Sequence, residues 1–296
     1  MSEPMPESVP ARQDRLPVRK TYKLYVGGAF PRSESGRSYP VTSPSGVVLA
    51  HVAQASRKDV RDAVRAARAA FTGWAGATGY NRGQVLYRVA ELLEGRRDQL
   101  AAEVRATKAC SLSLARAQVD AAIDRWVYYA GWADKYDQVA GSTNPVSGAY
   151  FNFSVPEPTG VVAVIAPRRP SLLGIVNAMV PVITSGNTAV VIASQDHPLS
   201  AVSLSEVLGP SDLPAGVVNI LTGHATELAP WLASHRDVNA LDLAGLAEED
   251  RVSLRIAAAD NVKRVYTGRP GSDNQHALSR LLAFVETKTV WHPTGF

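Results

Sequence analysis

The sequence predicts an α/β fold built on an open parallel sheet, and three observations carry that prediction. Residues 160–223 hold three short β-branched runs, 160–166, 188–192 and 217–221, separated by segments of helical length at 172–185 and 199–208. Each run is continuously apolar rather than alternating, as in strands covered on both faces. Strands joined through helices must lie parallel, and such a sheet carries its ligand crevice at the strands' carboxyl ends.

Taken from the start, residues 1–20 are polar and Pro-rich and read as a disordered tail. Residues 22–26 read as a strand followed by a Gly27-Gly28 turn, and 47–53 as a second strand after the Ser43-Pro44-Ser45-Gly46 turn. Ser56 with Asp59 three residues later has the spacing of a capping box, and Val60, Val64, Ala67 and Phe71 form the stripe of the helix it opens, which ends near Gly73. A single helix is expected over 82–108, with Val85, Leu86, Val89, Leu92 and Leu93 on one side. A second is expected over 114–136, with Val119, Ala122, Ile123, Trp126 and Tyr129. Residues 149–155 alternate Tyr150 and Asn152 against Phe151 and Phe153 as a strand with an exposed face or edge, closed by Pro156 and Pro158. After the three central runs, 238–243 and 262–266 complete the parallel sheet, each preceded by a helix. Residues 267–283 leave room for a loop and a short helix before a last strand over 284–291.

Composition narrows the function classes. A chain of 296 residues with 46% hydrophobic content can bury a large core. Its formal net charge is only +4, with arginines interspersed among acids, which reads as a solvated surface and not as a nucleic-acid footprint. One cysteine, Cys110, excludes an internal disulfide framework and fits a reducing compartment. No apolar run approaches membrane-spanning length and no signal-peptide core is present, so a cytoplasmic location without membrane contact is expected. The six histidines, His51, His197, His224, His235, His276 and His292, lack metal-ligand spacing, and no Walker A or G-x-S-x-G word occurs, so no metal site is expected. Arg168 and Arg169 precede a helix start. They read either as solvent or interface charges or as an anion or partner contact at the mouth of the crevice.

The words GVVAVIAP, SGNTAVV, PLSA and LPAGVVNILTG, in this order, resemble the nucleotide-binding half of the aldehyde dehydrogenase superfamily. KLYVGGAFPRSESG, VTSPSG, VRAARAAFTGWAG and YYAGWAD upstream, and AAADNVKRV and VETKTVW downstream, extend the likeness over nearly all of the chain after about residue 20. The resemblance implies a Rossmann-like nucleotide-binding domain over 21–145 and 157–282, and a small β oligomerisation arm over 146–156 and 283–296. The arm's interface residues would be Tyr150, Phe151, Phe153, Val285, Thr287, Thr289 and Trp291. In the family the catalytic domain, with its nucleophilic cysteine, lies between the two strands that here flank residues 267–283, so it is expected to be absent.

The family's site words can be followed position by position. After Ile165, Ala166 and Pro167 the family has an Asn whose amide helps to hold the oxyanion, and Arg169 stands there. The cofactor-contacting Lys aligns with Ile192 and a nearby Glu with Gln195. At the phosphate-facing helix start, Gly245 is followed by Leu246 and then by Asp250, adding bulk and negative charge where small residues and free amides are needed. Cys110 reads as a half-buried structural residue, far in sequence from the crevice and without a neighbouring histidine. The resemblance therefore implies a degenerate member with no catalytic residue and no cofactor, NAD(P) entering by resemblance alone. It is similar to the cysteine-lacking second module of family-sixteen aldehyde dehydrogenases. The expected role is that of a structural or regulatory partner of a full-length relative in a hetero-oligomer. The alternative is an NAD(P)-dependent oxidoreductase acting on aldehydes, or a nucleotide-binding module with rearranged contacts.

Overall fold

The computed structural model describes residues 20–108, 110–268 and 278–295. The central sheet has five strands, all parallel: β5 (Val161–Ile165), β6 (Thr188–Ile192), β7 (Val218–Leu221), β8 (Ala240–Asp242) and β9 (Arg264–Tyr266), in the spatial order β7-β6-β5-β8-β9. The order runs outward in one direction from β5 to β7 and in the other from β8 to β9, so the topological switch lies between β5 and β8. Successive side chains divide between the faces, as the strand period requires. Val162 and Val164 join the core cluster beneath one face, and Val161, Ala163 and Ile165 join the cluster beneath the other.

The first face is covered by α6 (Ser171–Thr184) and α7 (Leu199–Leu208), backed by α2 (Gly79–Glu94), α3 (Arg97–Lys108) and α4 (Leu112–Trp132). The second is covered by α1 (Arg57–Gly76), α8 (Ala225–Ser234) and α9 (Glu248–Ala259). The capping box at the start of α1 forms as the spacing predicts: Ser56 accepts from the amides of Lys58 and Asp59, and Asp59 accepts from the Ser56 amide at 2.7 Å. Trp74 Nε1 donates to Ile183 O at 2.8 Å and Arg82 Nε to Thr184 O at 3.2 Å, tying α1 and α2 to the end of α6.

Several expectations need correction. Residues 22–26 form no regular strand. Tyr25 makes one antiparallel bridge to Ile220 on the free edge of β7 and Tyr22 a parallel bridge to Val52, so the segment pairs with two different neighbours. It thereby caps an otherwise open edge. The strand at Val52, β2 (Val48–Ala53), pairs with an unforeseen β1 (Ser38–Thr42) in a hairpin packed on α7. The helix expected over 82–108 is two, broken at Gly95, where low helix propensity lets α3 turn away while α4 packs across both. The helix expected to reach 136 stops at Trp132, and α5 (Tyr136–Ala140) follows.

A separate three-stranded antiparallel sheet has the order β10-β4-β3, formed by β3 (Ser142–Asn144), β4 (Tyr150–Pro158) and β10 (Val285–Pro293). It begins ahead of residue 146, and β4 runs through Pro156 to Pro158 instead of closing there. Beyond Ser154 the short β3 no longer flanks β4, and proline is tolerated on an unpaired strand edge. The helix α10 (Leu278–Leu282) precedes β10 and is pinned to the sheet: Arg280 reaches Asp242 at 2.6 Å, and Asn187 Nδ2 donates to Phe284 O at 2.8 Å. Of the bridge over 267–283, residues 269–277 lie outside the described residues, as does the tail apart from Lys20. Lys20 pairs with Glu206 on α7 at 3.0 Å.

Candidate functional site

The carboxyl ends of β5, β6 and β7 open into a cleft of about 530 Å³. One wall is the end of β1 and the turn after it, Val41 to Pro44. The others come from the last residues of α3, Thr107 and Lys108, and from the loops after the three strands, which supply Arg169, Gln195 to His197, and His224. Arg169 Nε donates to His197 Nε2 at 3.3 Å, which fixes a neutral ring with its proton on Nδ1. Burial, reinforced by the charges of Arg169 and Lys108, holds His197 below the usual imidazole range. Burial also lowers Lys108; Arg169 acts in the same direction and Cys110 opposes it. The nearest acid in the cleft, Asp196, is paired with Arg168 at 3.0 Å.

The residues singled out in the sequence fall in four places. Arg169 and Gln195 line this cleft together. Ile165, Ala166 and Pro167 meet Gly245 at the switch point: a Cβ on Gly245 would lie 2.3 Å from Ile165 O and 2.7 Å from Pro167 N. Only glycine allows the loop after β8 to approach the end of β5 so closely. Leu246 and Asp250 line a separate, smaller cleft of about 180 Å³ between α8 and α9, with Ala225, Ala229 and Pro230 opposite. The first turn of α9 carries Glu248, Glu249 and Asp250, whose charges complement the helix dipole. Arg251 Nε donates to Leu246 O at 2.8 Å and so holds the entry to that helix. Ile192 joins neither cleft; it is fully buried on the α1 and α8 side of the sheet.

Lys108, His197, Tyr39 and His224 were not foreseen as site residues. None lies in a recognisable word, and only the packing of the β1–β2 hairpin and α3 against the strand ends brings them together. Cys110, distant in sequence, sits just beyond α3, half-buried against the core and close enough to Lys108 to act on its charge. Among the described residues no group of three or more His, Cys, Asp or Glu gathers as metal ligands, and no helix is long and apolar enough to cross a membrane.

The arm residues also separate. The register sets Thr289 opposite Ser154 and Trp291 opposite Asn152, so Tyr150, Thr287, Thr289 and Trp291 share one face and Phe151 and Phe153 the other. Val285 stands at the start of β10, half-buried. Trp291 is 58% exposed, and Tyr150 and Phe151 are each 48% exposed, while Asn152 and Ser154 are buried.

Comparison with known proteins places these features in a family context. The model of the aldehyde dehydrogenase family matches residues 30–277. The chain is 32% identical to cytosolic aldehyde dehydrogenase 1 of Elephantulus edwardii over 89% of its own length and 53% of that protein's. It is 34% identical to the mitochondrial benzaldehyde dehydrogenase of Antirrhinum majus, over 84% of its length and 47% of that protein's. Among solved structures, HpcC from Thermus thermophilus superposes with a TM-score of 0.78 at 30% identity, covering 83% of this chain and 47% of that one. The NAD+ complex of an aldehyde dehydrogenase from Bacillus cereus gives a TM-score of 0.78 at 28% identity, covering 83% and 50%. The chain thus spans about half the length of the relatives it matches.

Proposed function

This chain belongs to the aldehyde dehydrogenase family, and from that premise we propose that it is a catalytically inactive subunit that binds a full-length aldehyde dehydrogenase through its β arm. The observation that carries this reading is the pairing of an intact α/β scaffold with an arm whose aromatic side chains, Tyr150, Phe151 and Trp291, stand about half exposed. Exposed aromatic clusters of this kind mark surfaces that bind a partner. Three features argue against tight dinucleotide binding. Ile192 is sealed in the core and offers no polar group to a ribose; Leu246 occupies the wall between α8 and α9; and three carboxylates stand at the start of α9, where a pyrophosphate would need bare amides. In this reading the parallel sheet and its helices are the scaffold, the sheet of β3, β4 and β10 is the arm, and the complex is cytoplasmic and heterologous.

The test is co-expression with a full-length relative, followed by size-exclusion light scattering, alongside calorimetric titration with NAD and NADP. A mixed complex that Phe153→Asp disrupts, with no heat from either nucleotide, is the expected result. Absence of a complex overturns the partner role. Saturable nucleotide binding favours the other reading, an NAD(P)-dependent oxidoreductase or nucleotide-binding module, for which the persisting cleft between α8 and α9 is the supporting observation.

A further inference from the structure

The cleft at the ends of β5 to β7 holds an electrostatic imbalance that the protein itself does not relieve. Lys108 and Arg169 both line this cleft, where the charge of one acts on the other, and neither forms an ion pair with a carboxylate among the described residues. Among the described residues the one acid lining the cleft, Asp196, is engaged by Arg168. Arg169 commits its Nε to His197 and keeps the rest of its guanidinium. His197 is only 7% exposed, yet its Nδ1 has no hydrogen-bond partner. Thr42, Ser43 and Gln195 add neutral donors to the wall. Holding two like charges together in a partly desolvated cleft is costly unless a counter-charge enters.

We infer that this cleft is an anion site, built by Lys108, Arg169 and the neutral His197, that takes a phosphate group, either inorganic phosphate or the head of a phosphomonoester. Phosphate fits the donor set better than a halide does, because a planar guanidinium, an ammonium and neutral side-chain donors on one cleft wall suit the several oxygens of a tetrahedral dianion. At about 530 Å³ the cleft also leaves room for the organic part of a small ester. The site is separate from the cleft between α8 and α9 and does not depend on whether the arm binds a partner.

Calorimetric titration of the full chain with inorganic phosphate and with glycerol 3-phosphate tests the site, with glycerol as the neutral control. Saturable binding is expected, weakening as chloride rises. Lys108→Gln should weaken it about tenfold, as loss of one charge-assisted hydrogen bond does, and Lys108→Gln with Arg169→Gln should remove it. Arg88→Gln, which removes an exposed charge on α2, should leave it unchanged. Tighter binding of the ester than of phosphate identifies a phosphorylated metabolite as the occupant, and equal affinity identifies the free ion. Circular dichroism establishes that each variant is folded, and the imidazole ¹⁵N signals of His197 give an independent readout that should move on phosphate addition. No heat with either anion, or binding that survives in the folded double variant, overturns the inference.

Discussion

The central sheet and the β arm use their strands in opposite ways. In β5 every residue is buried, and its two faces feed two apolar clusters between layers of helices. In β4 the buried positions are Asn152 and Ser154, while Tyr150 and Phe151 face outward. The polar residues there bond to one another: Asn144 Nδ2 reaches Asn152 Oδ1 at 2.6 Å and Ser154 Oγ at 2.9 Å, and Ser154 Oγ meets Thr289 Oγ1 at 2.9 Å, while Asn152 Nδ2 has no partner among the described residues. Tyr150 and Trp291 pack edge to face on one side, with centroids 5.8 Å apart, and Phe151 and Phe153 lie 5.4 Å apart on the other. A sheet with helices on both faces obtains its stability from area removed from water. A thin sheet without that cover holds together by hydrogen bonds and leaves its apolar area for another surface.

That contrast can be broken most forcefully in the core. Ile175→Ala on α6, where the side chain is 1% exposed within the larger cluster, should cost about 3–4 kcal/mol, read as a lower midpoint in urea at unchanged slope.

The joint between the two regions should respond nearly as strongly. Arg280→Met leaves the fully buried Asp242 without its ion pair and should cost about 3 kcal/mol near neutral pH. Burial holds the Asp242 carboxyl above the usual carboxylate range in spite of Arg280, so the folded state retains its proton to higher pH than the unfolded chain does. The stabilisation is therefore fully present below the ordinary carboxylate pKa and is lost as pH rises through the folded value. Loss of Arg280 should raise that folded value further, so the penalty should shrink in acid; a penalty independent of pH would refute this account of the joint.

The smallest effect on stability should come from the arm. Phe151→Ser should change the unfolding free energy by about 0.5 kcal/mol or less, because the ring is half exposed. It should nevertheless weaken association with a full-length relative on a sizing column. A large loss of stability would mean that the arm belongs to the core after all.

Much of the fold was legible because its signals are local. The continuous runs at 160–166, 188–192 and 217–221 became β5, β6 and β7 with shifts of no more than a residue at either end, and Ser56 with Asp59 marked the start of α1. The break at Gly95 was not legible, because a glycine in a helical pattern bends or continues according to what packs against it. The site was legible only in part. Arg169 and Gln195 stood out because the resembled family's site words align with them, whereas Lys108 and His197 fall on no such position, His197 although it lies two residues beyond Gln195 in the same loop.

What the sequence by itself determined is the series of elements and the family likeness, because periodicity, caps and turn residues act over a few neighbours and need no knowledge of the partner. What only the tertiary structure decided is which groups meet: Lys108 beside Arg169, Gly245 against the end of β5, Asp242 under Arg280, and aromatic residues left outside in the arm. Charge repulsion, steric closeness and burial are properties of distance in space, and the fold alone sets those distances.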